Sequence, residues 1–588
     1  MIGAVLLIGA KVAQLLCAGA QRAHAGVAQP VCDRWSHMSP LAAWILVVGV
    51  ALGCSGSSAS RPRDASAVPS NCSVPLVCGD DGAVHSCDGK MIGAVIDDCA
   101  ARGQACSLGR CTSAPCQVAE ARTRSVIGCL FYTLQPDNVA ADEAALTSYV
   151  INNAGVDPAN VQLQRATPGT NESTVWEEAD SVQIPAGSSG RLQFPGLEVT
   201  NPGINPLAAV RVSSDRPVSV AEIESDDDAQ PATSSSGTVV LPLQALGGNY
   251  RAVTYPQEAT HDVQQAVGSR GGAARVIVVG TQPGTRISFK PVEAITGDPG
   301  PGQLVPPLAA SEPLEVTLND GDVFQIYTNS PDEDLTGSQV TVLSGAPVAV
   351  FSGNISTSYG SNASGINSAD MAHEQMPPVS SWSKSYVAAP LAPQTSIGCT
   401  SFFGDSDGVG AGSIWRVVAD QNDTRVDFGP PSPEHVWLRA GQSVTRVSSA
   451  PFTITASRPI LVTQGIDCEP SLSLAISTDP NALLTNISFA ALPVFDQVVA
   501  IVRQAGSTLA LDGVPISDSM FRSLDDDFEL AELPVPACRA ASGACLHRLT
   551  ATGGGFGLTL RGMDVSASYA LTTPGLLRCD SNSELCLN

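Results

Sequence analysis

Apolar and polar residues alternate along most of this chain. Arg275–Phe289 (RVIVVGTQPGTRISF), Arg416–Phe428 (RVVADQNDTRVDF) and Val499–Leu511 (VAIVRQAGSTLAL) each place a two-residue period on either side of a tight turn. That period puts successive side chains on opposite faces of a strand, and the turns PGT, NDT and AGS hold the Gly, Asn or Asp that accept positive φ. Each reads as a half-buried hairpin. A second unit follows in Ser213–Ile223 (SSDRPVSVAEI), Leu343–Gly353 (LSGAPVAVFSG) and Thr455–Gly465 (TASRPILVTQG). Its Pro lacks a donor and suits a sheet edge or corner. Leu314–Tyr327, Val436–Val447 and Val182–Phe194 read as further hairpins, and His547–Gly562 (HRLTATGGGFGLTLRG) takes the corner position of a last, worn copy. Four copies of roughly 90 to 120 residues, each with short strands, predict an all-β chain of tandem β-sandwich-like repeats. A four-bladed propeller-like arrangement is the alternative.

Composition agrees. The 588 residues are 43% hydrophobic and 15% charged, with a mean hydropathy of +0.12, which excludes wholesale disorder. Lys and Arg number 31 against 56 Asp and Glu, a formal charge of -25. Such a surface repels phosphate backbones and anionic lipid, so no nucleic-acid role is expected.

Leu41–Cys54 (LAAWILVVGVALGC) is an apolar run too short to span a bilayer but suited to the core of an export signal. Its Gly53-Cys54 end resembles a lipobox, which makes Cys54 the expected lipidation site. Residues 1–54 are then a leader, with 1–37 ahead of an alternative start at Met38. Residues 55–71, rich in Ser, Ala and Pro, are a flexible linker. This reading puts the protein in an extracytoplasmic compartment, as an outer-membrane or cell-surface lipoprotein or as a secreted protein, touching membrane only through its anchor.

Seventeen cysteines fit an oxidising compartment. Beyond Cys54, the disulfide candidates are Cys72, Cys78, Cys87, Cys99, Cys106, Cys111, Cys116, Cys129, Cys399, Cys468, Cys538, Cys545, Cys579 and Cys586. The first seven crowd into 72–125, which predicts a small disulfide-held module acting as a stalk. Seven is odd, so one of them is expected to bond to Cys129, at the start of the repeat region 126–588. Cys399 with Cys468, Cys538 with Cys545 and Cys579 with Cys586 would complete an even count, though spacing does not fix connectivity.

Candidate chemistry is sparse. His373-Glu374 begins an HEQMP stretch, but a zinc helix of the His-Glu-x-x-His kind needs a second His where Pro377 stands, and that Pro breaks a helix. The pair is expected to hydrogen-bond locally in a connection between repeats, stiffened by Pro377-Pro378 and packed by Trp382 and Tyr386. Ser225–Ala229 (SDDDA), Gly404–Gly408 (GDSDG) and Leu524–Phe528 (LDDDF) offer carboxylates for Ca²⁺, yet none completes a binding loop, so no cofactor is expected. There is no phosphate loop, and the seven His show no arrangement with Ser or Asp that the sequence reveals. Glu224–Thr238 and Thr357–Met371 are the longest variable connections, and Tyr359 and Asn362 are the expected ligand-binding residues there.

Four blocks together resemble the IgGFc-binding protein N-terminal domain family: Gly128–Asn138 (GCLFYTLQPDN), Leu241–Pro256 (LPLQALGGNYRAVTYP), Asp334–Asn354 (DLTGSQVTVLSGAPVAVFSGN) and His373–Pro390 (HEQMPPVSSWSKSYVAAP). The likeness covers about Val126 to Pro574. It implies a binding protein without catalytic residues, and bacterial members look secreted or surface-anchored. The long Cys-rich repeats of the member that gives the family its name are missing here. The expected function is a non-enzymatic cell-surface or secreted binding or adhesion protein with an extracellular protein or glycoconjugate ligand. The competing classes are a secreted hydrolase with a site assembled from distant loops, and a structural component of the envelope or matrix.

Overall fold

The computed structural model describes residues 74–88, 91–121, 125–138, 147–170, 173–194, 198–224, 235–255, 273–297, 305–328, 333–357, 370–390, 413–466, 471–492, 496–535, 545–564 and 567–573. All lie in one compact unit, Pro69–Asn588. Strands dominate, and Ala114–Ala121 is the one α-helix among the described residues.

The repeat becomes explicit in strand order. The second sandwich runs through Asn249–Arg251, Ala274–Val279, Thr285–Lys290, Leu314–Leu318, Val323–Tyr327, Gln339–Ser344, Ala349–Thr357 and Asp370–Gln375. One sheet sets the first, sixth, third and fourth of these side by side; the other sets the fifth, second, seventh and eighth. The fourth sandwich repeats that order with Asn486–Ala491, Asp496–Gln504, Thr508–Leu511, Val514–Pro515, Phe528–Pro534, Cys545–Thr552, Phe556–Asp564 and Ala567–Thr572. In the first and third sandwiches the sixth and seventh strands fuse into one long strand, Ala209–Glu224 or Phe452–Ile466, that belongs to both sheets.

The proline units mark where this strand changes sheet. Register shifts between Ser213 and Val218, around Pro217, and the corresponding stretch of the second sandwich contains Pro347 between its two strands. A residue without an N–H interrupts the ladder at little cost there. The fourth copy uses Gly553, Gly554 and Gly555 instead, with Gly553 at φ 80°.

The expected hairpins are different objects. Ala274–Val279 pairs with Val323–Tyr327 and Ala349–Thr357, not with Thr285–Lys290, which pairs with Leu314–Leu318 in the opposite sheet. The turn at Gly284 (φ 69°) therefore arches the chain over the core from one sheet to the other. Leu314–Tyr327, Val436–Val447 and Val182–Phe194 are arches of the same kind. A two-residue period is identical for side-by-side and face-to-face neighbours, so alternation alone could not separate them.

The four sandwiches close into a ring. Apolar residues of the first and second meet around Leu134, Ile277 and Phe351, those of the second and third around Trp382, Val418 and Leu461. The third and fourth share Val387, Ile476 and Val502, and the fourth returns to the first through Tyr569, Val150 and Ile223. Each eighth strand, Ser236–Val240, Asp370–Gln375, Ser471–Leu474 and Ala567–Thr572, lies on the ring axis against its counterparts. At Gly237 an added Cβ would meet Ile223 Cδ1 of the same sandwich at 2.9 Å and Tyr569 Cβ of the fourth at 3.0 Å, so glycine eases the close approach of the first and fourth sandwiches. The sandwich thus describes each unit, and the four-bladed alternative describes how the units are disposed.

The cysteine-rich segment is docked, which corrects the expectation of a stalk. Cys78–Cys106 and Cys99–Cys111 hold it, and Cys116–Cys129 ties its helix to the first strand of the first sandwich. Ser113 Oγ donates to the Asp215 carbonyl (2.8 Å), and Gln282 Oε1 of the second sandwich accepts from the Leu76 amide (3.3 Å). Inside the segment Arg110 pairs with buried Glu120. A segment this small gains by leaning on larger cores.

Candidate functional site

Two polar regions stand out, one at the ring axis and one between the third and fourth sandwiches. The axis holds His373-Glu374. Asp370–Gln375 is a buried strand paired with Ala349–Thr357, which corrects the expectation of a pair bonding locally in a connection between repeats. His373 stacks on Phe351 (5.0 Å between centroids), and its Nε2 lies 3.3 Å from Glu222 Oε1 of the first sandwich. The separation suits an ion pair, while the angle does not make a directed hydrogen bond. Glu222 also accepts from Thr133 Oγ1, and Glu224 from Thr147 Oγ1 at 2.8 Å.

Burial controls the electrostatics here. Desolvation pushes the Glu374 carboxyl well above the usual range, and pushes Glu224 the same way with repulsion from Glu222 added. It pulls the His373 imidazole down, against the attraction of Glu222. Arg275, lowered by the same desolvation, donates to the Asp137 carbonyl at 2.7 Å.

Asp370 joins three sandwiches. Its Oδ1 accepts from the Ser235 amide of the first and, at 2.9 Å, from its neighbour Met371; its Oδ2 accepts from the Ser568 amide of the fourth at 3.1 Å. Ser236 Oγ accepts from the His373 amide (3.0 Å) and Thr238 Oγ1 from the Gln375 amide (2.9 Å). These contacts satisfy buried donors across modules. Glu222, His373 and Glu374 are at most 2% exposed. The axis is a structural network. Trp382 packs where the second and third sandwiches meet, as expected, whereas Tyr386 packs in the core of the third.

The second region is open. A cleft of about 630 Å³ separates the third sandwich from the fourth. Ser385, Thr453, Thr455 and Thr478 line one side, and Gln504, Asp525, Asp526, Asp527 and Phe528 the other. The carboxylates of the LDDDF segment are exposed, and Asp525 Oδ1 accepts from the amides of Asp527 (2.9 Å) and Phe528 (2.7 Å) within its own turn. Among the described residues no group of three or more His, Cys, Asp or Glu side chains is placed to hold a metal ion. The first and fourth sandwiches meet at an apolar seam enclosing only about 40 Å³.

Several sequence expectations fall outside the described residues: Cys54, Cys72, Cys399, Cys468, Cys538, Cys579 and Cys586, the segments Ser225–Ala229 and Gly404–Gly408, and Tyr359 and Asn362. Cys87 and Cys545 are disulfide-bonded. The described ends of the two variable connections come together, because Glu224 and Ser235 flank one, Thr357 and Asp370 flank the other, and Ser235 bonds to Asp370. Both connections link the seventh strand to the eighth, in the first and second sandwiches respectively. No helix among the described residues is long and apolar enough to cross a membrane.

Fold and site together define a modular all-β chain with a buried polar axis among its described residues. The family profile described as IgGFc binding protein matches residues 236–562 of the 588, and the chain belongs to that family. The match opens on the axial strand of the first sandwich and closes within the seventh strand of the fourth, so the other strands of the first sandwich share the topology while lying outside the matched residues. The human IgGFc-binding protein is 27% identical over 249 residues, which are 42% of this chain and 4% of that protein. This chain therefore corresponds to a small part of its human relative. A solved anti-sigma factor domain-containing protein aligns with 58% of this chain and 93% of its own at 9% identity, and its TM-score of 0.10 carries no argument.

Proposed function

We propose that this chain is an extracytoplasmic, non-catalytic binding protein, anchored by lipid at Cys54, that engages an extracellular protein or glycoconjugate through the connections at 225–234 and 358–369, with Tyr359 and Asn362 among the contacting residues. The observation that carries the reading is membership of a family named for binding. The convergence of the described ends of both connections, where Ser235 bonds to Asp370, supports it. The disulfides support an oxidising compartment. Pull-down by the full chain from extracellular glycoproteins, with IgG Fc as one arm, tests the reading. A partner should be retained, and removal of residues 358–369 should weaken retention at least tenfold with the melting temperature nearly unchanged. Equal retention by the deletion variant would contradict the loop assignment. Cys54→Ala should abolish incorporation of a fatty-acid analogue, and persistent labelling would contradict the anchor.

A further inference from the structure

The outer face of the third sandwich differs from that of the second. In the sheet built from Ser383–Ala388, the first half of Phe452–Ile466, Thr424–Phe428 and Glu434–Leu438, one set of side chains turns inward: Val426, Phe428, Phe452, Ile454, Val436 and Leu438. The alternate set faces away from that core. It includes Trp437, 60% exposed and the one exposed indole among the described residues.

Register places the neighbours of Trp437. Arg425 is directly opposite on the adjacent strand, and its guanidinium is held by Asp427 Oδ1 at 2.6 Å. Asp427 is opposite His435 on one side and Thr455 on the other, and Thr455 is opposite Ser385. Thr455 and Ser385 line the cleft described above. The indole and the cleft thus belong to one continuous face, three strand spacings or about 14 Å across.

The equivalent face of the second sandwich provides an internal control. Thr285–Lys290 corresponds to Thr424–Phe428 and Leu314–Leu318 to Glu434–Leu438. There Arg286 is opposite Thr317, and Glu315 pairs with Arg286 at 2.8 Å. Threonine occupies the place of Trp437, although the arginine and the local fold are kept. Packing of the module therefore does not call for tryptophan at this position.

We propose that this face and the cleft beside it bind a neutral oligosaccharide. The proposal rests on the reading of the chain as a binding protein and places a ligand surface apart from the variable connections. A flat exposed indole offers its face to the C–H side of a sugar ring, since one side of a pyranose is apolar and its rim is not. The cleft supplies matched partners for hydroxyl groups: hydroxyls at Ser385, Thr453, Thr455 and Thr478, the amide of Gln504, and carboxylates at Asp525, Asp526 and Asp527. Those carboxylates, on a chain of formal charge -25, select against sialylated or sulfated sugars. The length of the face suits a chain of sugars rather than one ring.

The test applies the full chain to immobilised neutral, sialylated and sulfated oligosaccharides, with a lysine-rich peptide as a further arm. The parent should retain neutral oligosaccharides. Trp437→Thr, which installs the residue of the second sandwich, should weaken that retention at least tenfold at an unchanged melting temperature, and Asp526→Asn should weaken it less. Removal of residues 358–369 should leave it unchanged. No neutral sugar retained, retention of the basic peptide or anionic sugars alone, or equal binding by Trp437→Thr overturns the proposal. Loss on removal of 358–369 without loss in Trp437→Thr overturns it while sustaining the loop reading, so the two failures are distinct.

Discussion

At the ring axis Glu222, His373 and Glu374 are sealed from solvent, whereas Arg425, Asp427, His435 and Trp437 on the outer face of the third sandwich are open to it. Both regions carry the residue types usually inspected for chemistry. What separates them is the destination of their hydrogen bonds. Axial groups spend theirs on other modules, as Asp370 does with Ser235 and Ser568, and the ring depends on them. Outer groups bond within one sheet, as Arg425 does with Asp427, and leave neighbouring surface free for a ligand. A carboxylate or imidazole thus acquires its role from topology before chemistry.

The sharpest way to break this comparison is to remove one group from each region. Asp370→Ala leaves the amides of Ser235, Met371 and Ser568 without this acceptor inside the protein. Unmet buried donors cost about 1–3 kcal/mol each, so the variant should lose on the order of 4 kcal/mol in urea unfolding. Trp437→Thr should stay within about 0.5 kcal/mol of the parent, as an exposed substitution does. Comparable losses in the two variants would erase the distinction.

A smaller effect separates the regions by pH. The folded Glu374 carboxyl is raised above its ordinary 4.5, so both states are protonated at low pH. As pH rises past 4.5 the unfolded chain ionises first, and stability falls until folded Glu374 itself ionises. His373 is lowered from 6.5, so its contribution is complete above that pH and is lost as pH falls through the folded value. Glu374→Gln should flatten the alkaline side of the urea-midpoint profile and leave the acid side in place. An unchanged alkaline slope would show that Glu374 is ionised in the folded protein.

Much of this fold was legible in the alternation of residues. The repeat, its four copies and its corners at Pro217, Pro347 and Pro459 follow from local pattern, since each depends on a few adjacent residues. Arch versus hairpin was not legible, because Gly284 permits either reversal and the choice lies with partners such as Tyr327 and Asn354, dozens of residues away. His373 was misplaced for the same reason: its partner Glu222 belongs to another module. Trp437 carried a signal that was passed over. In EHVWL, Val436 and Leu438 fix the inward parity, and the indole between them must point out.

Amide hydrogen exchange on the intact chain tests the closed ring most directly. In a ring closed through the axis, Ser236–Val240, Asp370–Gln375, Ser471–Leu474 and Ala567–Thr572 each lose protection only when the whole assembly opens. The account predicts that these four strands, from four modules, are the slowest to exchange and share one opening free energy, with Glu434–Leu438 at the sheet edge exchanging earlier. Rapid exchange of Ala567–Thr572 while Asp370–Gln375 stays protected would contradict it, because the fourth sandwich would then open independently of the first.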